Sequence, residues 1–149
     1  EAEKAGGVFI TTAGADELTG KDCNSATFRW SVPTYGAINQ TVRPIIEALP
    51  DAKKWYTITP QYVFGDGLLN AAKAVFAEKG IEHVGNSYHS TQEQEFSGYL
   101  TNAMAAQPDV LLILNFGGQA SNCLRQAANF GLPSAALTES CGLPDRLST

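Results

Sequence analysis

Two threonines, three aromatic rings and a carboxylate fall at one kind of position in this chain, directly after a short run that reads as a β-strand. Thr11 closes the run 8–11 and Thr12 follows it, Tyr62 and Phe64 follow Trp55-Tyr56-Thr57-Ile58-Thr59, Phe116 follows Val110-Leu111-Leu112-Ile113-Leu114, and Glu139 follows Ala135-Ala136-Leu137. Ala13, Gly14, Gly65, Gly117 and Gly118 share these segments. Hydroxyls and bare backbone N–H groups hold a polar head, ring faces cover an apolar or cationic body, and a carboxylate meets an amine. The segments 11–15, 60–66, 115–118 and 138–142 contain no Lys or Arg. A phosphate or strongly anionic ligand would lack a charged partner there. The chemistry these residues suit is recognition of a neutral or amine-bearing small molecule.

Bond-making chemistry finds less support. There is no G-x-S-x-G elbow, no phosphate-cradling G-x-x-x-x-G-K-[ST] loop and no H-E-x-x-H helix. Gly65-Asp66-Gly67-Leu68-Leu69-Asn70 follows a strand and opens a helix, but Asn70 stands where a dinucleotide fingerprint needs its third glycine. The stretch from Thr59 to Asp66 is also longer than that tight turn. No cofactor is expected. Cys23, Cys123 and Cys141 are far apart, without the C-x-x-C spacing of a zinc or dithiol site, and no metal is expected either. His83 and His89 flank a strand and are read as structural, Glu93 and Glu95 as favouring a helix N-terminus, and Asn39-Gln40-Thr41 as a chance glycosylation match on a helix.

The elements that must place these residues alternate. From Lys54 onward, short apolar runs switch with segments of helical spacing, the pattern of βαβ units. Leu68, Leu69, Ala72, Val75 and Phe76 form one stripe, stopped by Gly80; Phe96, Leu100, Ala103 and Met104 form the next, before Pro108; Ala120, Leu124, Ala127 and Ala128 form a third, stopped at Gly131. The strand 110–114 is apolar throughout, which predicts a central position covered on both faces. A weaker strand is expected from His83 towards Tyr88. The fold class is α/β, a Rossmann-like parallel sheet flanked by helices, and in such sheets ligands bind beyond the carboxyl ends of the strands. A helix over 35–49 and extended runs at 8–11 and 27–32 precede this block, with too few neighbouring strands to pair them, so part of a domain is expected to be missing.

Composition bounds the rest. The chain has 149 residues and a net charge of -5, enough for one core and unfavourable for nucleic acid or anionic lipid. No apolar run reaches the ~20 residues of a membrane span, and Glu1-Ala2-Glu3-Lys4 carries no secretion signal.

An ordered set of short motifs carries a resemblance: Ala15-Asp16-Glu17-Leu18-Thr19, Thr27-Phe28-Arg29, Phe64-Gly65-Asp66-Gly67, Phe96-Ser97-Gly98-Tyr99-Leu100, Pro108-Asp109-Val110, and Leu124-Arg125-Gln126-Ala127-Ala128 with Gly131-Leu132. Together they resemble the type I periplasmic binding proteins of branched-chain amino-acid and related ABC importers. The resemblance implies a two-lobed, non-enzymatic receptor of which this chain is a piece: 1–26 the end of the first lobe, 27–34 a crossing strand at the hinge, and 35–149 most of the second lobe. It implies a first-lobe loop at Thr12, Ala13 and Gly14 that holds a ligand's head, with no hydroxyl at position 14 where family members carry one. It further implies second-lobe aromatics at Phe64 and Phe116 with Tyr62 beside them, Glu139 for an ammonium group, a periplasmic location and an ABC permease as partner. Two other readings are a ligand-sensing regulatory domain of the same fold and a nucleotide-dependent enzyme. An unpaired lobe would expose apolar surface, so self-association is expected.

Overall fold

The computed structural model describes residues 1–131 and 134–136. In chain order the elements are β1 (Phe9–Thr11), a 3₁₀ turn at Asp16–Thr19, β2 (Thr27–Arg29), α1 (Thr34–Ala48), β3 (Lys54–Pro60), α2 (Val63–Lys79), β4 (Glu82–His89), α3 (Ser97–Ala105), β5 (Val110–Ile113), α4 (Gly117–Asn129) and β6 (Ser134–Ala136). All strand pairs are parallel. β1 pairs with β2 in a two-stranded sheet, Phe9 opposite Thr27 and Thr11 opposite Arg29. The main sheet has the order β4-β3-β5-β6.

β3 and β5 are the central pair, with Trp55 opposite Val110 and Ile58 opposite Ile113. Because side chains alternate across a strand, these apolar residues feed two cores. Trp55, Val110, Leu112 and Leu114 pack with Ile38, Val42 and Ile46 of α1 and with Leu68, Leu69, Ala72, Val75 and Phe76 of α2. On the other face Tyr56, Ile58, Leu111 and Ile113 pack with Phe96, Leu100 and Ala103 from the α3 region and Cys123 and Ala127 of α4. The expectation of a parallel sheet with helices on both faces is met.

The edge strand β4 reads weakly because its inward positions are polar. The Tyr56 hydroxyl lies 2.7 Å from Ser87 Oγ, and Thr59 Oγ1 donates to Asn86 Oδ1 at 2.6 Å. Burying such groups is tolerated when each has a partner. The helices stop where the sequence stops them: Gly80 caps α2 in the left-handed region at φ 66°. α1 carries Pro44 in its interior and is tied to α2 by a two-pronged pair, Arg43 Nη1 and Nη2 donating to the Glu78 carboxylate at 2.7 and 2.5 Å. Asn39, in the glycosylation-like triplet, lies on α1, with Nδ2 donating to Tyr35 O and Oδ1 accepting from Arg43 Nε.

Candidate functional site

The ends of β1, β3 and β5 lead into three loops, and these meet. A cleft of about 400 Å³ is lined by Thr12, Ala13, Gly14 and Ala15 after β1, by Tyr62, Val63 and Phe64 after β3, and by Phe116 after β5. The lining holds no charged side chain and is mostly apolar, with the Thr12 and Tyr62 hydroxyls and backbone groups as its polar features.

The second loop is set by a close backbone approach. A Cβ at Gly65 would stand 2.0 Å from the carbonyl oxygen of Pro60, so only glycine lets the chain leave β3 and turn at once into α2. Tyr62 is the N-cap of that helix, in extended conformation, and its ring lies 5.9 Å from the Phe64 ring. Phe116 plays the same positional part for α4. Both helices thus begin at the cleft, where the first N–H groups of a helix lack internal partners.

Phe64 also reaches the first loop. Gly14 is buried, and a Cβ placed on it would lie 2.6 Å from Phe64 Cε2. The missing side chain at position 14 is the space that the Phe64 ring fills.

Behind Phe116, the buried Asn115 faces His89, with Oδ1 2.7 Å from Nε2, while His89 Nδ1 lies 2.7 Å from Ser90 O. A neutral imidazole donates through one nitrogen only. The donor and acceptor roles across both His89 contacts depend on its tautomer, and Asn115 Nδ2 is buried without a partner. Phe96 and Tyr99 pack edge-on against the His89 ring at 5.1 and 5.9 Å. His89 is a structural residue that steadies the strand end from which Phe116 projects.

Of the sequence-predicted residues, Thr12, Ala13, Gly14, Tyr62, Phe64 and Phe116 line one cleft. Thr11 stands at its back: its Oγ1 accepts from Ala13 N at 3.0 Å and its carbonyl from Trp30 N at 2.9 Å, shaping the loop. Gly117 is the first residue of α4, exposed beside Phe116 and outside the lining. Glu139 lies outside the described residues. Asp66, in the first turn of α2, accepts from the Tyr88 hydroxyl at 2.9 Å. Glu93 accepts from the backbone N–H groups of Glu95 and Gln94, and Glu95 from the Ser97 hydroxyl and then the Ser97 backbone N–H at the start of α3; those bonds hold both carboxyls below the usual carboxylate range.

Sequence reasoning missed what holds the first loop. The guanidinium of Arg29, nearly buried, donates through Nη1 to the carbonyls of Gly14 and Ala15 at 2.9 and 3.1 Å and through Nη2 to Thr19 Oγ1. Its only advance signal was the Thr27-Phe28-Arg29 motif. A second depression, of about 420 Å³, lies at the opposite end of the sheet between Ala48–Ala52 and Asp109. There Asp109 Oδ2 already accepts from Lys53 N and Lys54 N at 2.8 Å each. It gathers no strand-end loops, and the first cleft is the better candidate. Among the described residues no group of three or more His, Cys, Asp or Glu is placed to hold a metal ion, and no helix is long and apolar enough to cross a membrane.

Comparison with known proteins agrees with this architecture. Residues 2–144 match the family model described as periplasmic binding protein. An amino acid ABC transporter substrate-binding protein from Pseudomonas fluorescens Pf-5 is 74% identical with a TM-score of 0.81, over 86% of this chain and 34% of that one. A periplasmic binding protein from Burkholderia mallei is 29% identical with a TM-score of 0.81, over 91% of this chain and 37% of that one. A solute-binding protein of an ABC transporter from R. palustris, solved in complex with benzoate, is 27% identical with a TM-score of 0.83, over 91% of this chain and 38% of that one. The chain therefore spans little more than a third of the length of these solved proteins. A search of curated proteins finds no match. With its parallel sheets flanked by helices and a family match over nearly its whole length, the chain belongs to the type I periplasmic binding protein family.

Proposed function

We propose that this chain supplies part of the ligand cleft of a periplasmic ABC-importer receptor, which captures a small polar metabolite such as an amino acid, an amide or an aromatic acid between two lobes. The observation that carries the proposal is the convergence of three loops, from strands of two separate sheets, on one uncharged, aromatic-lined cleft. In this reading residues 1–26 end the first lobe, 27–34 cross between lobes and 35–149 belong to the second lobe. Thr12, Ala13 and Gly14 hold the ligand's head through the Thr12 hydroxyl and backbone groups, with Thr11 shaping the loop. Tyr62, Phe64 and Phe116 cover the body, with Gly117 at the rim and Glu139 a candidate partner for an ammonium group. Capture is reversible, no bond is made or broken, and release is to a membrane permease.

Aromatic acids and amino acids stand equally in this reading, since similar proteins include one named for amino acids and one solved with benzoate. A thermal-shift screen of amino acids, amides, aromatic acids and nucleotides tests it. A ligand at a hundred times its Kd adds about 2.7 kcal/mol of stability. A shift with one of the first three classes and none with nucleotides is the expected result; a shift with nucleotides alone contradicts the reading and favours the enzyme alternative.

A further inference from the structure

The loop from Thr12 to Ala15 has no charged side chain to anchor it, yet its backbone is held at several points. Arg29 Nη1 takes the carbonyls of Gly14 and Ala15, and Gly14 O also accepts from Thr34 N at 3.0 Å. One residue further on, Asp16 Oδ2 accepts from the Thr34 hydroxyl and from Tyr35 N at 3.0 Å, while Asp16 Oδ1 lies 3.9 Å from Arg29 Nη1. Asp16 thereby caps α1 from a distance, since Pro33 at the N-cap position offers no side-chain acceptor. Thr34 is fully buried, and a Cβ at Gly67 would stand 3.3 Å from its Oγ1. The chain of contacts therefore runs from the cleft loop through Arg29 and Asp16 to Thr34, and on to α2, the helix that carries Phe64.

We infer that Arg29 and Asp16 are positioning residues of the cleft, which fix the Gly14–Ala15 backbone and tie it to the first turn of α1. The inference rests on the proposed reading of the cleft as a ligand site. Among the described residues every peptide bond is trans, so each carbonyl drawn onto the guanidinium sends the next N–H the opposite way. The N–H groups of Ala15 and Asp16 are directed away from Arg29. The orientation of this loop's donors is thus set by a side chain that does not line the cleft. Lysine cannot substitute fully, because a single ammonium lacks the planar fork that reaches two carbonyls and a hydroxyl together.

The test is amide hydrogen exchange with ¹⁵N spectra of the intact chain, and it needs no ligand. In Arg29→Ala, protection of the Leu18, Thr34 and Tyr35 amides, which bond to Ala15 O, Gly14 O and Asp16, is expected to fall by about tenfold or more. The Thr12 to Ala15 signals should shift or broaden while β3 and β5 amides keep their protection. Arg29→Lys should restore part of the effect. If Arg29→Ala does not fold, Thr34→Val, which removes the hydroxyl donated to Asp16, should give the same local loss at Tyr35. Unchanged loop signals, full restoration by lysine, a loss spread evenly over the core strands, or failure of both variants to fold would overturn the inference. A failed ligand screen would instead contradict the reading of the cleft.

Discussion

Gly14 and Phe64, fifty residues apart in sequence, touch across the cleft so closely that a methyl group on Gly14 would lie 2.6 Å from the ring edge. The contact joins the loop after β1 to the start of α2. It makes the two positions interdependent: any side chain at 14 must move the ring, and any loss of the ring opens the floor of the cleft.

Gly14→Thr should therefore act on Phe64. We expect a stability cost of about 1–3 kcal/mol, typical of overpacking, and a changed ligand preference in the screen. The double variant Gly14→Thr with Phe64→Ala should recover much of that stability. Denaturant unfolding of the single and double variants checks it; additive costs would show that the two residues do not interact.

Phe116 is half exposed, so Phe116→Ala should change stability by no more than about 0.5 kcal/mol. Its effect should appear in binding, as a loss of about tenfold or more for a ligand identified by the screen, measured by calorimetry. Unchanged affinity would remove Phe116 from the site.

His83, against the Phe76 ring, has its pKa lowered from the usual 6.5, first by burial and then by the Lys73 charge, against a smaller opposing effect of the Gly85 backbone. The unfolded chain thus binds the proton at higher pH than the folded one does. Stability from this site is present above the unfolded pKa and declines as pH falls through about 6.5 towards the lower folded value. His83→Gln should flatten this part of the pH profile of the unfolding midpoint. An equal slope in variant and parent would contradict the assignment.

The Cys123 thiol is buried under α4, and burial pushes it up to about 12. Iodoacetamide at pH 8 should modify the exposed Cys23 and leave Cys123 untouched until denaturant is added, as read by peptide mass. Rapid modification of native Cys123 would mean that the α4 core opens readily.

Ile10 of β1, Phe28 of β2 and the flanking Val8 and Trp30 stand in water, Trp30 at 86% exposure. Such a contiguous apolar surface favours association. Light scattering of this chain should show concentration-dependent growth in mass, reduced by Trp30→Lys; a monomer at high concentration would contradict this.

Much of the fold was legible because the sheet is parallel and buried. The run from Val110 to Leu114 has no polar residue to confuse it; the stripe of α2 ends at Gly80, its C-cap, and that of α4 at Gly131, one residue past its C-cap Phe130. β4 was faint because its inward residues, Asn86 and Ser87, are made acceptable by hydroxyls of β3 that only the register brings opposite. The cleft was legible by rule, since loops beyond strand ends meet in such folds, and six of the named residues do line it. Their supports were not. Arg29 grips carbonyls 14 and 15 residues back, and Asp16 caps a helix 19 residues on. Such pairings leave no periodic trace. The buried Asn115 and His89 pair is equally silent in sequence, because neither residue type declares its burial.

The most direct test of the central claim is a ¹⁵N titration with the ligand that the screen identifies. If the strand-end loops form the binding cleft, the largest shifts will fall on Thr12 to Ala15, Tyr62 to Phe64 and Phe116. Shifts confined to the opposite end of the sheet, around Leu49, Ala52 and Asp109, with these loops unmoved, would contradict it.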